Sequence, residues 1–174
     1  MEQVFLKDCN TLPRRVIVLL KIFQFRLKSR GFTLLELLTV IAILGVLSAI
    51  AVPGYLSYRQ RAVNAAALET MRNISMEIDI FNIDYNRYPN DLNEIGFGGV
   101  LDPWGRPFQY LNIALVPGTG PLRKDHSLVP VNTDYDLYSM GRDGMSQPPF
   151  TAAASKDDLV RANNGTFYGL VSDY

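Results

Sequence analysis

Cysteine and histidine are almost missing from this chain: its 174 residues hold one of each, Cys9 and His126. A single cysteine cannot close an intrachain disulfide, so the fold must hold without a covalent staple. A single histidine cannot form a histidine cluster for a transition metal, and His126 sits among loop-forming residues. Catalytic signals are equally sparse. Gly118-Thr119-Gly120 lacks the lysine and the following helix of a phosphate-binding loop, and no nucleophile, base and orienting group fall into a recognisable constellation. Internal repeats and long low-complexity segments are absent too. The length suits one modest domain with appendages, and neither an enzyme nor a nucleic-acid binder is expected.

What is present is unevenly distributed. Phe32 to Val52 is a run of 21 residues with one charge, Glu36, and three polar side chains, Thr33, Thr39 and Ser48. At about 1.5 Å per residue, a helix of that length reaches roughly 30 Å, the thickness of a bilayer's hydrocarbon core. A membrane span is therefore expected. A secretory signal peptide also joins a basic region to an apolar one, but its apolar stretch is about 7–15 residues long, followed by small residues. Ala49-Ile50-Ala51 offers such a site, yet the run before it is too long.

Charge sets the orientation. Residues 1–31 hold seven basic against two acidic side chains, a net +5, so the neutral total hides −5 in residues 32–174. A basic flank stays on the cytoplasmic side and sends the C-terminal part outward; Arg59 and Arg61 weaken this contrast without reversing it. Inside the span, a carboxylate costs about 2–3 kcal/mol or more, which makes Glu36 a functional candidate in search of a partner. The alternative is that it snorkels to the near interface. Pro53 donates no N–H and leaves the Ala49 carbonyl without its helical partner. Gly45 weakens the helix by about 1 kcal/mol relative to alanine. Gly45–Pro53 is thus the soft part of the helix, either a segment that unwinds or an inert kink.

Beyond Pro53, Ala67, Met71, Ile74, Ile78, Phe81 and Tyr85 recur at three- and four-residue steps and predict an amphipathic helix with one apolar face. Pro89 ends it, giving a helix of about 55 residues. The rest reads as short strands and turns: a brief helix over Asn90–Ile95 capped by Asp91 or Asn90, strands over Phe108–Leu115 and Tyr135–Met140, and Val129–Asn132 as an extension of the sheet. The expected fold class is α+β, a long N-terminal helix packed on a small antiparallel sheet with a C-terminal loop.

Gly31-Phe32-Thr33-Leu34-Leu35-Glu36, followed by an apolar helix and Pro53, resembles the type IV pilins and type II secretion pseudopilins. The resemblance implies that a prepilin peptidase cuts between Gly31 and Phe32 and N-methylates Phe32. It implies that Glu36 pairs with a neighbouring subunit's N-terminus, and that Gly45–Pro53 unwinds on assembly. Residues 1–31 then form a cleaved basic leader that carries Cys9 away, although a start downstream would shorten it. Residues 32–53 form the transmembrane and filament-core helix, 54–88 its soluble half and 89–174 the head. The pilin-like chain is expected in the inner membrane, N-terminus cytoplasmic and head periplasmic, with membrane lipid around the span.

Two head segments resemble the major, G-type pseudopilin: Asp102-Pro103-Trp104-Gly105 with Phe108-Gln109-Tyr110, and Tyr135 through Gly144. That resemblance implies a calcium ion held by Asp143, Asp157 and Asp158 and by the Met140 main-chain carbonyl, and hard oxygen ligands of this kind suit calcium. Thirteen residues separate Asp143 from Asp157, a longer loop than the pattern. Without the ion, Asp157-Asp158 would be a solvated pair capping a short helix through Arg161. The implied partners are further copies of the chain in a homopolymer, minor pseudopilins, the inner-membrane assembly platform and the peptidase/methyltransferase. Three functions stay open: a pseudopilus subunit for protein export across the outer membrane, a pilin for adhesion, motility or DNA uptake, and a membrane-anchored calcium-dependent binding domain.

Overall fold

The computed structural model describes residues 31–174. Cys9, Lys28, Arg30 and all of the leader expected over 1–31 except Gly31 lie outside the described residues. The chain divides into two units at Ala49–Ile50.

One helix, α1, runs from Leu34 to Tyr85, 52 residues, and passes through Gly45 and Pro53 without a break. Its start is a capping box. The Glu36 N–H donates to Thr33 Oγ1 at 3.1 Å, while the Thr33 N–H donates back to Glu36 Oε2 at 3.0 Å. Every residue from Gly31 to Arg59 is exposed, and the apolar stretch is long and hydrophobic enough to cross a membrane. So continuous an apolar surface requires lipid or other helices around it.

In the second unit the helix acquires a buried face. Ala67, Met71, Ile74 and Ile78 have no exposure, and burying each large side chain stabilises the fold by about 1.5–3 kcal/mol. The expected stripe is correct this far and then stops: Phe81 is half-buried and Tyr85 exposed, their rings packed on each other at 4.5 Å. The helix ends at Tyr85, four residues before Pro89, because Asn86 adopts a left-handed conformation, φ 52°, a common helix terminator.

Four short strands form one antiparallel sheet in sequence order: β1 (Gln109–Asn112), β2 (Tyr135–Ser139), β3 (Leu159–Ala162) and β4 (Phe167–Leu170). Period-two alternation sorts their side chains. Tyr135, Leu137 and Leu159 join Met71, Ile74 and Ile78 of α1 in the main core. Val160 and Ala162 face away, beneath Val131, Phe150 and Val171 of the loops. The head is therefore helix, sheet and loop layer.

Several sequence expectations need correction. Val129–Asn132 is not a strand: Pro130 has no N–H for a ladder, and Asn132 Nδ2 instead donates to Asp136 Oδ1 (2.8 Å) and the Arg161 carbonyl (3.1 Å). Asn90–Ile95 forms turns rather than a helix, although Asp91 does cap them, accepting from the Asn93 N–H at 2.8 Å. Phe108–Leu115 contributes a strand of four residues and then a 3-10 turn. The helix conceived over Asp157–Arg161 is instead the approach to β3 and the first three residues of that strand.

The processing segment and the carboxylate loop

Gly31, Phe32 and Thr33 precede the helix and are exposed, so the peptide bond between Gly31 and Phe32 is open to an enzyme. The capping box sets this boundary. Thr33 Oγ1 also donates to Glu36 Oε2 at 2.9 Å, so the carboxylate is held over the first turn, with four residues between it and the bond. The Thr-x-x-Glu spacing is the sequence signal for this box, a signal that treating Glu36 only as a charge leaves out.

In the head, Asp102 joins the two segments that carried the family resemblance. Its Oδ1 accepts the Trp104 and Arg106 N–H groups at 3.0 and 2.9 Å, and its Oδ2 accepts Ser139 Oγ at 2.6 Å. Arg106 then reaches the next turn, where Nη1 donates to the Gly141 carbonyl at 2.7 Å. The Asp102–Arg106 turn thus supports the Met140–Gly144 turn through the end of β2.

The expected calcium ligands divide. Around the Met140–Gly144 turn, the Asp143 N–H donates to Asp157 Oδ2 at 3.0 Å, the Met145 N–H to Asp143 Oδ1 at 2.7 Å and the Gly144 N–H to the Met140 carbonyl at 3.2 Å. Gly141 has φ 61°, and a Cβ there would lie 2.2 Å from the Asp157 carbonyl oxygen, so only glycine fits. Asp158 points elsewhere. It is fully buried, its Oδ2 accepting Arg123 Nη2 at 2.6 Å and Ser146 Oγ at 2.5 Å. Among the described residues, no three His, Cys, Asp or Glu side chains are grouped to hold a metal ion. As arranged, the residues do not fit the six to eight converging oxygens that calcium takes.

Two buried ion pairs flank the sheet, one in the loop layer and one on the helix side, and the sequence reading missed both. Arg123–Asp158 is the first. In the second, Arg161 Nη1 and Nη2 grip Asp134 at 2.9 and 2.6 Å, with the guanidinium 3.9 Å from the Tyr135 ring centre. Burial pushes the Arg161 guanidinium down, but the Asp134 hydrogen bonds and charge more than offset it, keeping its pKa above the ordinary value. Burial pushes the Asp136 carboxyl up, partly countered by the Arg123 N–H and Asn132 amide that it accepts. Only packing signals such as partners 27 and 35 residues apart distinguish these arginines from solvated ones, and the sequence does not display them.

One cavity, of about 510 Å³, is lined by Leu56, Arg59, Gln60, Val63, Trp104 and Arg142, with Ser57 and Pro103. Its lining has no carboxylate, imidazole or thiol, so it offers no acid–base pair.

The prokaryotic N-terminal methylation motif matches residues 26–52. The chain is similar to the type II secretion system core protein G of Pseudomonas aeruginosa, 32% identical over 68% of this chain and 87% of that protein. It is also similar to the protein of the same name from Dickeya chrysanthemi, 31% identical over 79% of this chain and 89% of that protein. The type IV major pilin protein PilA of Myxococcus xanthus is 35% identical, but over only 45% of this chain and 36% of its own. No solved structure matches.

Proposed function

The chain belongs to the family of type II secretion system core protein G, and from that membership we propose how it works as the major pseudopilin. It is a structural subunit, anchored by one apolar helix, that polymerises into a pseudopilus and so drives protein export across the outer membrane. The observation that carries this reading is the extent of the likeness, which spans 87% of the Pseudomonas aeruginosa protein and therefore reaches far past the shared N-terminal motif. The match to PilA covers less than half of either chain, which ranks the pilus reading second.

In the proposed sequence of events, the basic flank holds the leader on the cytoplasmic side of the inner membrane while the head stays in the periplasm. A prepilin peptidase cuts the exposed bond between Gly31 and Phe32 and methylates the new amine of Phe32. That amine keeps its positive charge. A neighbouring subunit's Glu36 then answers it within the apolar filament core, removing the cost of a lone buried carboxylate. Gly45–Pro53 yields as the helix leaves lipid for that core. The remaining partners are minor pseudopilins and the assembly platform; no catalytic role is proposed.

Deleting the gene and assaying secreted enzymes in the medium tests this reading. It requires loss of secretion, with cargo retained in the periplasm and restored by the intact gene. Loss of surface filaments with secretion intact would establish the pilus reading in its place. Mass spectrometry of the mature subunit should give an N-methylated Phe32 as first residue.

A further inference from the structure

We propose that Arg123 is the resident cation of the C-terminal loop: its guanidinium neutralises Asp158 in place of the calcium ion that the resemblance implies, and the head closes without metal. Arg123 and Asp158 are almost completely enclosed, their side chains 3% and 0% exposed, and meet at 2.6 Å.

The guanidinium contacts every layer of the loop. Nη1 donates to Ser146 Oγ at 2.7 Å and to the Gln147 carbonyl at 2.8 Å. Ser146 Oγ in turn donates to Asp158 Oδ2, the oxygen that Nη2 also reaches. The planar group lies 4.3 Å from the centre of the Tyr138 ring and 5.2 Å from that of Phe150, and both rings offer a negative face to a cation. The Arg123 main chain is fixed as well, its N–H donating to Asp136 Oδ2 at 2.8 Å and its carbonyl accepting the Val131 N–H at 2.9 Å. One side chain thus ties together β2, the segment 146–150 and the entry to β3. That is the task a loop-closing metal ion would perform.

The same contacts disfavour calcium. Asp158 Oδ2 already accepts two donors, and only Oδ1 is left without a partner. A divalent ion at that oxygen would sit beside a fixed positive charge in a poorly screened interior. Asp157 and Asp158, adjacent in sequence, cannot both turn to one ion while Asp157 supports the Asp143 turn and Asp158 is committed to Arg123. The long stretch between Asp143 and Asp157 supplies Ser146, Gln147 and Phe150, three of the groups that hold the guanidinium. Its length therefore has a use in this chain.

The test uses the full chain in detergent micelles, melted in calcium chloride and in a chelator, with titration calorimetry against calcium chloride alone. The expected melting temperatures agree within about 1 °C, because a ligand that does not bind the native state does not shift it. A rise of several degrees in calcium, or a calorimetric binding signal that Asp158→Asn abolishes, would overturn the proposal. Arg123→Met and Asp158→Asn, alone and combined, form the second arm. Arg123→Met should lower the melting temperature by about 10 °C by leaving a buried charge unanswered. The double variant should melt no lower than Arg123→Met, and strictly additive losses would count against the pair. Should Arg123→Met fail to fold, the unsubstituted chain in calcium and in chelator decides alone.

Discussion

Ser75 Oγ and Tyr135 Oη lie 2.6 Å apart in the interior, joining α1 to β2 across 60 residues of sequence. Tyr168 Oη donates to the same Ser75 oxygen at 2.7 Å, so one serine hydroxyl serves two strands. Burial pushes the Tyr135 phenol well above its usual range, which keeps it neutral and available for this bond. Ser75→Ala leaves two phenols without that partner, and a buried polar group so stranded costs about 1–3 kcal/mol. Tyr168→Phe removes one contact at a half-buried site and should cost less than Ser75→Ala. Denaturant melts of the full chain in micelles would rank the two variants.

The uneven legibility of this fold has physical causes. Ala67, Met71, Ile74 and Ile78 were readable because a helical face buried against one sheet imposes a 3.6-residue period on composition. β3 and β4 were not: β3 places Arg161, a residue normally solvated, on the core side, and β4 is half-buried along its whole length, without alternation. The start of α1 at Leu34 is written in local chemistry, the Thr33–Glu36 capping box. The division of Asp143, Asp157 and Asp158 is not, because their neighbours come from residues far away in sequence.

Asp102 gives a sharper test of the turn architecture. Its Oδ1 accepts two N–H groups and its Oδ2 one hydroxyl. Asparagine keeps an oxygen for the two N–H groups and can present its amide to Ser139, whereas alanine strands all three donors. Asp102→Asn should therefore cost less than about 1 kcal/mol and Asp102→Ala about 2–3 kcal/mol. Thermal melts of both variants check the order. Equal losses would mean that the turn is held by something other than this carboxylate.

Arg161 tests whether charge or shape matters at the second ion pair. Its fork grips both Asp134 oxygens while its plane stacks on Tyr135, and lysine can do neither. Arg161→Met, which leaves Asp134 largely buried and unpaired, should destabilise the head by about 3–5 kcal/mol. Arg161→Lys should recover less than half of that loss, as read by the same denaturant melts.

Glu36 has two candidate tasks that one substitution separates. In the described structure it closes the capping box with Thr33; in the proposed filament it answers a neighbour's charged N-terminus. Glutamine can serve in a capping box but carries no charge. If charge is what assembly needs, Glu36→Gln and Glu36→Ala should both be cleaved at Gly31 and both fail to form filaments or support secretion. If the cap is what matters, Glu36→Gln should assemble and only Glu36→Ala should fail, with Thr33→Ala sharing the defect. Processing is read from the mass of the mature chain, and assembly from sheared filaments and secreted cargo. The expected result is cleavage in every variant, with assembly lost whenever the carboxylate is lost, because an uncharged side chain leaves the neighbour's buried ammonium without a counter-charge at a cost of about 2–3 kcal/mol or more.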